Sequence, residues 1–198
     1  MKNKQIRILL SLIILGLVAV SCDQTRIVNY DELTDFIYVK GETAPYTGTA
    51  QKYYENGELK QVSHFKGGKL NGHFIEYDEF GERFQEGQYI DGSREGTWYM
   101  DDHENGIYTK AYFKNDEYHG EIILNYEDGR REVGTFNNGI MHGRYSSFYP
   151  NGMPKEKSIY IDGELHGKVT RWDEKGNEIY SREYYRGMPK YLLSKKKN

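Results

Sequence analysis

Tyr89-Ile90-Asp91-Gly92-Ser93-Arg94-Glu95-Gly96-Thr97-Trp98 places an aromatic residue three positions before one glycine, a second glycine four positions later, and another aromatic two positions after that. The spacing returns at Phe65, Gly68, Gly72 and Phe74, and again at Phe136, Gly139, Gly143 and Tyr145. Tyr160, Gly163, Gly167 and Val169 keep it with an aliphatic in the last slot, and Tyr184 and Gly187 begin it once more. Phe113, Asp116, Gly120 and Ile122 fit with one glycine replaced. The second glycines, from Gly48 to Gly167, step by 24, 24, 24, 23 and 24 residues. A fixed period of this length marks a repeat architecture and decides how each residue is read.

A further glycine sits in mid-unit at Gly57, Gly81, Gly106, Gly129, Gly152 and Gly176, usually after Asn or Asp. Asn or Asp followed by Gly tolerates positive φ at both central positions of a tight hairpin turn, so a tight hairpin is predicted there. Each unit then reads as strand, tight turn, strand, and a glycine-bounded turn into the next unit. The predicted fold is all-β: an elongated antiparallel meander of stacked β-hairpins, built from about six repeats of 23–24 residues over 48–188. The column Phe65, Tyr89, Phe113, Phe136, Tyr160 and Tyr184 is aromatic in every unit. Its rings recur on alternate strands, about 9 to 10 Å apart. With Phe74, Trp98 and Tyr145 from the strands between, they are expected to form one stacked ribbon, the core. The chain has 19 tyrosines and few aliphatics beyond residue 22, which suits a thin sheet whose half-buried rings keep their hydroxyls wet.

Residues 1–21 carry Lys2, Lys4 and Arg7 and then an apolar run from Ile8 to Val20. That run is shorter than the roughly 20 residues a membrane helix needs, so it reads as a signal peptide. The chain's single cysteine, Cys22, follows directly. One thiol allows no disulfide framework, so packing and sheet hydrogen bonds must supply the stability. Without residues 1–21, 24 Lys and Arg face 30 Asp and Glu. That balance argues against a nucleic-acid partner, which needs a basic face. Residues 22–35 lack the repeat and read as a polar tether. Residues 36–47 read as a capping half-repeat that opens with a strand and turn over 36–41, and 189–198 as a basic tail that frays.

No catalytic constellation emerges. Acidic residues such as Glu55, Glu79, Glu104, Glu127 and Glu174 recur before the mid-unit turns, and a residue present in nearly every unit serves the unit. His119, His142 and His166 hold one place in successive units, about 10 Å apart, whereas zinc needs its ligand nitrogens at about 2.1 Å. They are read as turn residues. No metal or cofactor is expected.

Two resemblances follow from these residues. The small residue before Cys22, at the end of an apolar run, resembles the lipobox of bacterial lipoproteins. That likeness implies cleavage before Cys22, lipidation of its thiol and attachment to an envelope membrane. Tyr53-Tyr54-Glu55-Asn56-Gly57-Glu58-Leu59-Lys60, followed by Phe65, Gly68, Asn71 and Gly72, resembles the MORN repeat variant of bacterial proteins. Many such chains are classed with YwqK-type antitoxins, which implies neutralising a toxin by direct binding. Related eukaryotic repeats are linked to protein scaffolding and phospholipid binding. The family brings no catalytic motif. The expected function is therefore a non-enzymatic, lipid-anchored scaffold for an unidentified protein partner. An antitoxin or immunity protein is the alternative, and a glycan-binding module using exposed Tyr and Trp, for example Trp98 or Trp172, is a weaker one.

Overall fold

The computed structural model describes residues 26–34 and 37–195, with side chains as far as 192. The expected signal peptide 1–21 and Cys22 lie outside the described residues. The strands are β1 (Ile27–Asn29), β2 (Gly48–Tyr53), β3 (Leu59–Lys66), β4 (Lys69–Tyr77), β5 (Arg83–Ile90), β6 (Ser93–Asp102), β7 (Ile107–Lys114) and β8 (Glu117–Tyr126). They continue as β9 (Arg131–Asn137), β10 (Ile140–Phe148), β11 (Pro154–Ile161), β12 (Glu164–Leu165), β13 (Gly167–Trp172), β14 (Glu178–Tyr185) and β15 (Met188–Pro189). All lie in one open sheet whose strands follow one another in chain order, with only β12 off the path, paired to β11. From β2 onward every pairing is antiparallel. The all-β meander of hairpins expected from the repeat is the fold.

The two glycine markers exchange roles. Type I′ geometry, with positive φ at two consecutive positions, occurs at the turns between units: Asp91 has φ 50° and Gly92 φ 95°. The Asn-Gly and Asp-Gly turns in mid-unit are longer, and among those pairs only the glycine has positive φ. There the Asn56 side chain accepts the Glu58 N–H at 2.9 Å, and Asn151 accepts that of Met153 at 3.0 Å, which stabilises the turn without the left-handed region. The second glycines are inside strands. Ser63 pairs Phe74 and Phe65 pairs Leu70, so four residues of β4 span two of β3, and Gly72 lies in the resulting bulge.

The turns between units also tie neighbouring units together. The Gly92 N–H donates to the Leu70 carbonyl at 2.8 Å, and Gly68, Gly139, Gly163 and Gly187 donate to carbonyls of the preceding unit in the same way. Asp116, which stands where the others have glycine, holds φ 67° and donates to the Arg94 carbonyl at 3.1 Å. Its carboxylate accepts the Arg94 backbone N–H at 2.8 Å, and that bond first of all holds the carboxyl below the usual carboxylate range. The folded pKa is depressed, so the stabilisation is present above the unfolded value near 3.9 and disappears as pH falls through the folded one. Asp116→Ala is expected to cost about 1–2 kcal/mol, because it loses the acceptor and strains a left-handed residue. Asp116→Asn keeps both properties and should cost less at pH 7, with its difference from the parent shrinking as pH falls below the ordinary carboxylate range in urea titrations.

One face of the sheet, the inner face, holds the core, and it is built from large residues set against small ones. Phe74 is opposite Ser63, and also opposite Gly87 on its other side. Trp98 and Ile122 both face Ala111, and Ile122 and Tyr145 both face Gly134. Tyr145 is also paired with Ser158. The small column Ser63, Gly87, Ala111, Gly134 and Ser158 is buried throughout, two residues before the aromatic column. A single layer has no second sheet to fill its surface, so bulky rings can lie flat only where their neighbours are small.

The aromatic column itself is less uniform than expected. Phe65 and Phe113 are buried, whereas Tyr89, Phe136, Tyr160 and Tyr184 are half-buried. Nor is the core one ribbon: among the described residues, all the buried apolar ones except Val169 fall into two clusters. The larger joins Phe74, Trp98, Ala111, Phe113 and Ile122, with Tyr89, Tyr118 and Phe136 packed on it. Rings meet at 4.7–6.1 Å from Phe74 through Tyr89, Trp98, Phe113 and Tyr118 to Phe136.

The smaller cluster closes the N-terminal end and corrects two expectations. Residues 26–34, expected within a free tether over 22–35, are docked: β1 runs parallel to β2 and buries Val28. The 3₁₀ turn Tyr30–Glu32 follows, capped by Asn29 in a capping box. Within the expected half-repeat 36–47, the strand is reduced to a single bridge between Leu33 and Val39. The cap is instead anchored by Tyr46, whose buried hydroxyl donates to the Thr49 carbonyl at 2.6 Å and is 2.8 Å from that of Arg26. Val28, Val39, Tyr46, Ala50 and Phe65 pack together there. At the other end the expected frayed tail begins as β15 and a short helix, α1 (Lys190–Lys195).

Candidate interaction surface

Strand alternation puts the neighbours of every core residue on the opposite, outer face. Phe84, Tyr99 and Tyr108 stand there about half exposed, in the part of the sheet where the inner face is best packed. With Glu86, Asp101 and Lys110 they border a groove of about 510 Å³ across β5 to β8. The Lys110 ammonium lies 5.8 Å from the Tyr99 ring centre. Glu86 receives His73 Nε2 at 2.9 Å and is also paired with Arg83. Rings fixed on strands, with charged groups already held beside them, offer contact area at little entropic cost on binding.

Farther along the same face the character changes to basic. Arg131, Arg144, Lys157 and Lys168 are exposed on β9, β10, β11 and β13. Pairing of Arg144 with Ile159, Ser146 with Val133 and Lys157, and Lys157 with Thr170 fixes their common side.

On the inner face the second half of the sheet is polar. Glu132 accepts the Tyr145 hydroxyl at 3.0 Å and that of Tyr126 at 3.2 Å. Glu156 receives Arg171 Nε at 2.6 Å and the Ser158 hydroxyl at 3.1 Å. Burial, and then the Glu132 charge, push the Tyr145 hydroxyl well above its ordinary value. Both carboxylates are thus committed to holding strands together.

One cluster has side-chain types suited to a cation. Asp78, Glu82 and His103 bring ligand atoms within 4.8 Å of one another where two mid-unit turns meet. Asp78 Oδ1 is taken by the N–H groups of Phe80 and Glu82, at 2.9 and 2.8 Å, leaving Oδ2 3.8 Å from His103 Nε2. Asp101 Oδ1, 3.3 Å from His103 Nδ1, accepts no hydrogen bond, and burial pushes this carboxyl up. Glu82 is open to water and Asp78 caps its own turn, so the group links two turns rather than presenting a set of free ligands. His103 shares no phase with the other histidines, and sequence periodicity gave no sign of this cluster.

The other site expectations separate clearly. His119 and His142 lie in the bulged strands β8 and β10 and His166 lies between β12 and β13, so none is a turn residue. Their neighbours differ: His142 Nδ1 is 3.2 Å from Asp162 Oδ1, His166 stacks near Tyr185, and His119 near Tyr112. Trp98 is fully buried, with its indole N–H donating to the Gln88 carbonyl at 3.2 Å, so it is no glycan platform. Trp172 is half-buried, 6.0 Å from Lys157 Nζ.

A family model described as the MORN repeat variant matches residues 46–66 and 141–162. No curated protein matches the chain. The two matched stretches are the hairpins β2–β3 and β10–β11, each a strand, a longer mid-unit turn and a strand. These two stretches are thus similar to MORN repeats.

Proposed function

We propose that the chain is a non-enzymatic, lipid-anchored repeat protein of the bacterial envelope that scaffolds a protein partner on its outer face. The observation that carries the reading is the exposed set Phe84, Tyr99 and Tyr108 around a groove on the face opposite the core. Exposed aromatic clusters rimmed by charge are features of interaction sites. MORN repeats are generally interaction modules, which agrees with it. The envelope anchor rests on the lipobox-like residues before Cys22. In a YwqK-type antitoxin the same face would hold a toxin, and co-expression with the captured partner would then rescue growth.

A photo-crosslinking residue at position 99, introduced in cells, is expected to capture one protein from envelope membranes. The double change Tyr99→Ser and Tyr108→Ser should abolish co-purification of that protein at unchanged far-UV circular dichroism. Capture of nothing, or co-purification unchanged by the double substitution, would remove the scaffold reading. Palmitate labelling that is absent from the parent, or that survives Cys22→Ala, would remove the anchor.

A further inference from the structure

We infer that the basic half of the outer face is a docking site for an acidic, extended segment of a protein partner. The inference rests on the scaffold reading and adds to it the chemistry of the partner. Arg131, Arg144, Lys157 and Lys168 occupy four neighbouring strands on one side of the sheet. None of the four has a carboxylate within ion-pair distance among the described residues. The nearby Arg130 and Arg171 are both paired, to Asp128 and Glu156. Two of the four lie near rings instead: Arg131 is 5.7 Å from the Phe148 ring centre and Lys157 6.0 Å from that of Trp172. Such contacts steady the long side chains and leave their charge unneutralised.

On these four strands this face carries no carboxylate among the described residues. Glu121 lies one strand outside on β8, Glu183 on β14 is paired in register with Lys168, and Glu164 stands at the turn end on β12. A chain carrying a net charge of -3 has thus gathered unpaired cations on one side of four strands. The field of such a patch draws an anionic partner and fixes its register. Exposed Ile159 and Ile161 lie on the same face and offer apolar contacts to a peptide's side chains.

Shape favours a flexible chain over a flat lipid surface. Adjacent strands rotate by about 20–25°, so the cations from β9 to β13 fan through roughly 60–75°. A plane touches only part of such a fan, whereas an extended peptide follows it. Alternate residues of an extended peptide repeat at about 6.6 Å, within reach of long side chains on strands about 4.8 Å apart. A second copy of the chain fits less well. Of the acidic groups on its own outer face, Glu86 is held by His73 and Arg83, Glu95 accepts the Asn115 N–H and Glu183 is paired with Lys190, while Glu121 and Glu164 stand singly on β8 and β12.

The test is fluorescence anisotropy with the full chain and a labelled twelve-residue polyglutamate peptide. Saturable binding is expected at low salt, weakening at least about tenfold near 0.15 M salt, as exposed charges become screened. The double reversal Arg144→Glu and Lys157→Glu should lower affinity by a further tenfold or more. Both residues are exposed, and unchanged circular dichroism checks the fold. No binding to the peptide, or binding that survives the reversal, overturns the inference. Phosphatidylglycerol vesicles or a twelve-nucleotide single strand binding more tightly than the peptide, with loss on reversal, also overturns it in favour of lipid or nucleic acid. Salt-sensitive self-association removed by the same reversal overturns it in favour of a second copy. The scaffold reading is tested separately, by capture at position 99: its success alongside a failed peptide assay would sink only the acidic partner.

Discussion

Trp98→Ala is expected to remove about 3–5 kcal/mol of stability, the largest loss from any single side chain here. The indole is fully buried between Phe74, Tyr89 and Phe113, whose ring centres lie 5.0–6.1 Å away. Its removal opens a cavity in a single layer that has no second sheet to collapse onto it. Domains hold only about 5–15 kcal/mol in all, so the variant should populate unfolded chain in little or no urea. Tyr99→Ser, one residue along but on the outer face, should cost under about 1 kcal/mol. Equal urea midpoints for the two variants would mean that the inner face is not the core.

Gly87→Ala should cost about 2–3 kcal/mol by the opposite mechanism, overpacking. A methyl at position 87 would meet three indole atoms of Trp98 at 2.2, 2.3 and 2.6 Å, closer than side chains tolerate. The Gly87 backbone is extended, so the cost is steric and arises from the ring alone. Coupling Gly87→Ala to Trp98→Phe should therefore recover part of the loss, with an interaction of about 1–2 kcal/mol in a double-mutant cycle. Strict additivity in urea titrations would show that Gly87 and the ring do not meet.

The period made the architecture legible before any coordinate. The spacing of Phe65, Gly68 and Gly72, repeated four more times with small changes and begun once again at Tyr184 and Gly187, is enough to order the strands. What it concealed was the division of labour inside the unit. The glycine of an Asn-Gly pair and the glycine after the aromatic both need positive φ, and sequence alone assigned the two-residue turn to the wrong one. The small column was equally periodic, at Ser63, Gly87, Ala111, Gly134 and Ser158. It was missed because small size, rather than identity, is what repeats there.

Residues 26–34 were misread for a different reason. Val28 and Leu33 are isolated apolar residues in a polar stretch, and only the exposed edge of β2, remote in sequence, gives them a place to bury. The outer surface was least legible. Cations such as Lys157 and Lys168 look like ordinary solvated strand residues until strand pairing brings them to one side. The groove at Tyr99 and Tyr108 likewise depends on register between β6 and β7, where Tyr99 faces Lys110 and Asp101 faces Tyr108.

Small-angle X-ray scattering of the chain from residue 23 onward tests the single open sheet most directly. Fourteen strands in line at about 4.8 Å spacing extend about 60 Å, for a radius of gyration of about 20 Å. A value near 20 Å, with pair distances reaching beyond about 60 Å, is the expected result. A value near 16 Å, that of a compact domain of this length, would mean that the hairpins fold back on one another and would contradict the open sheet with its two separate faces.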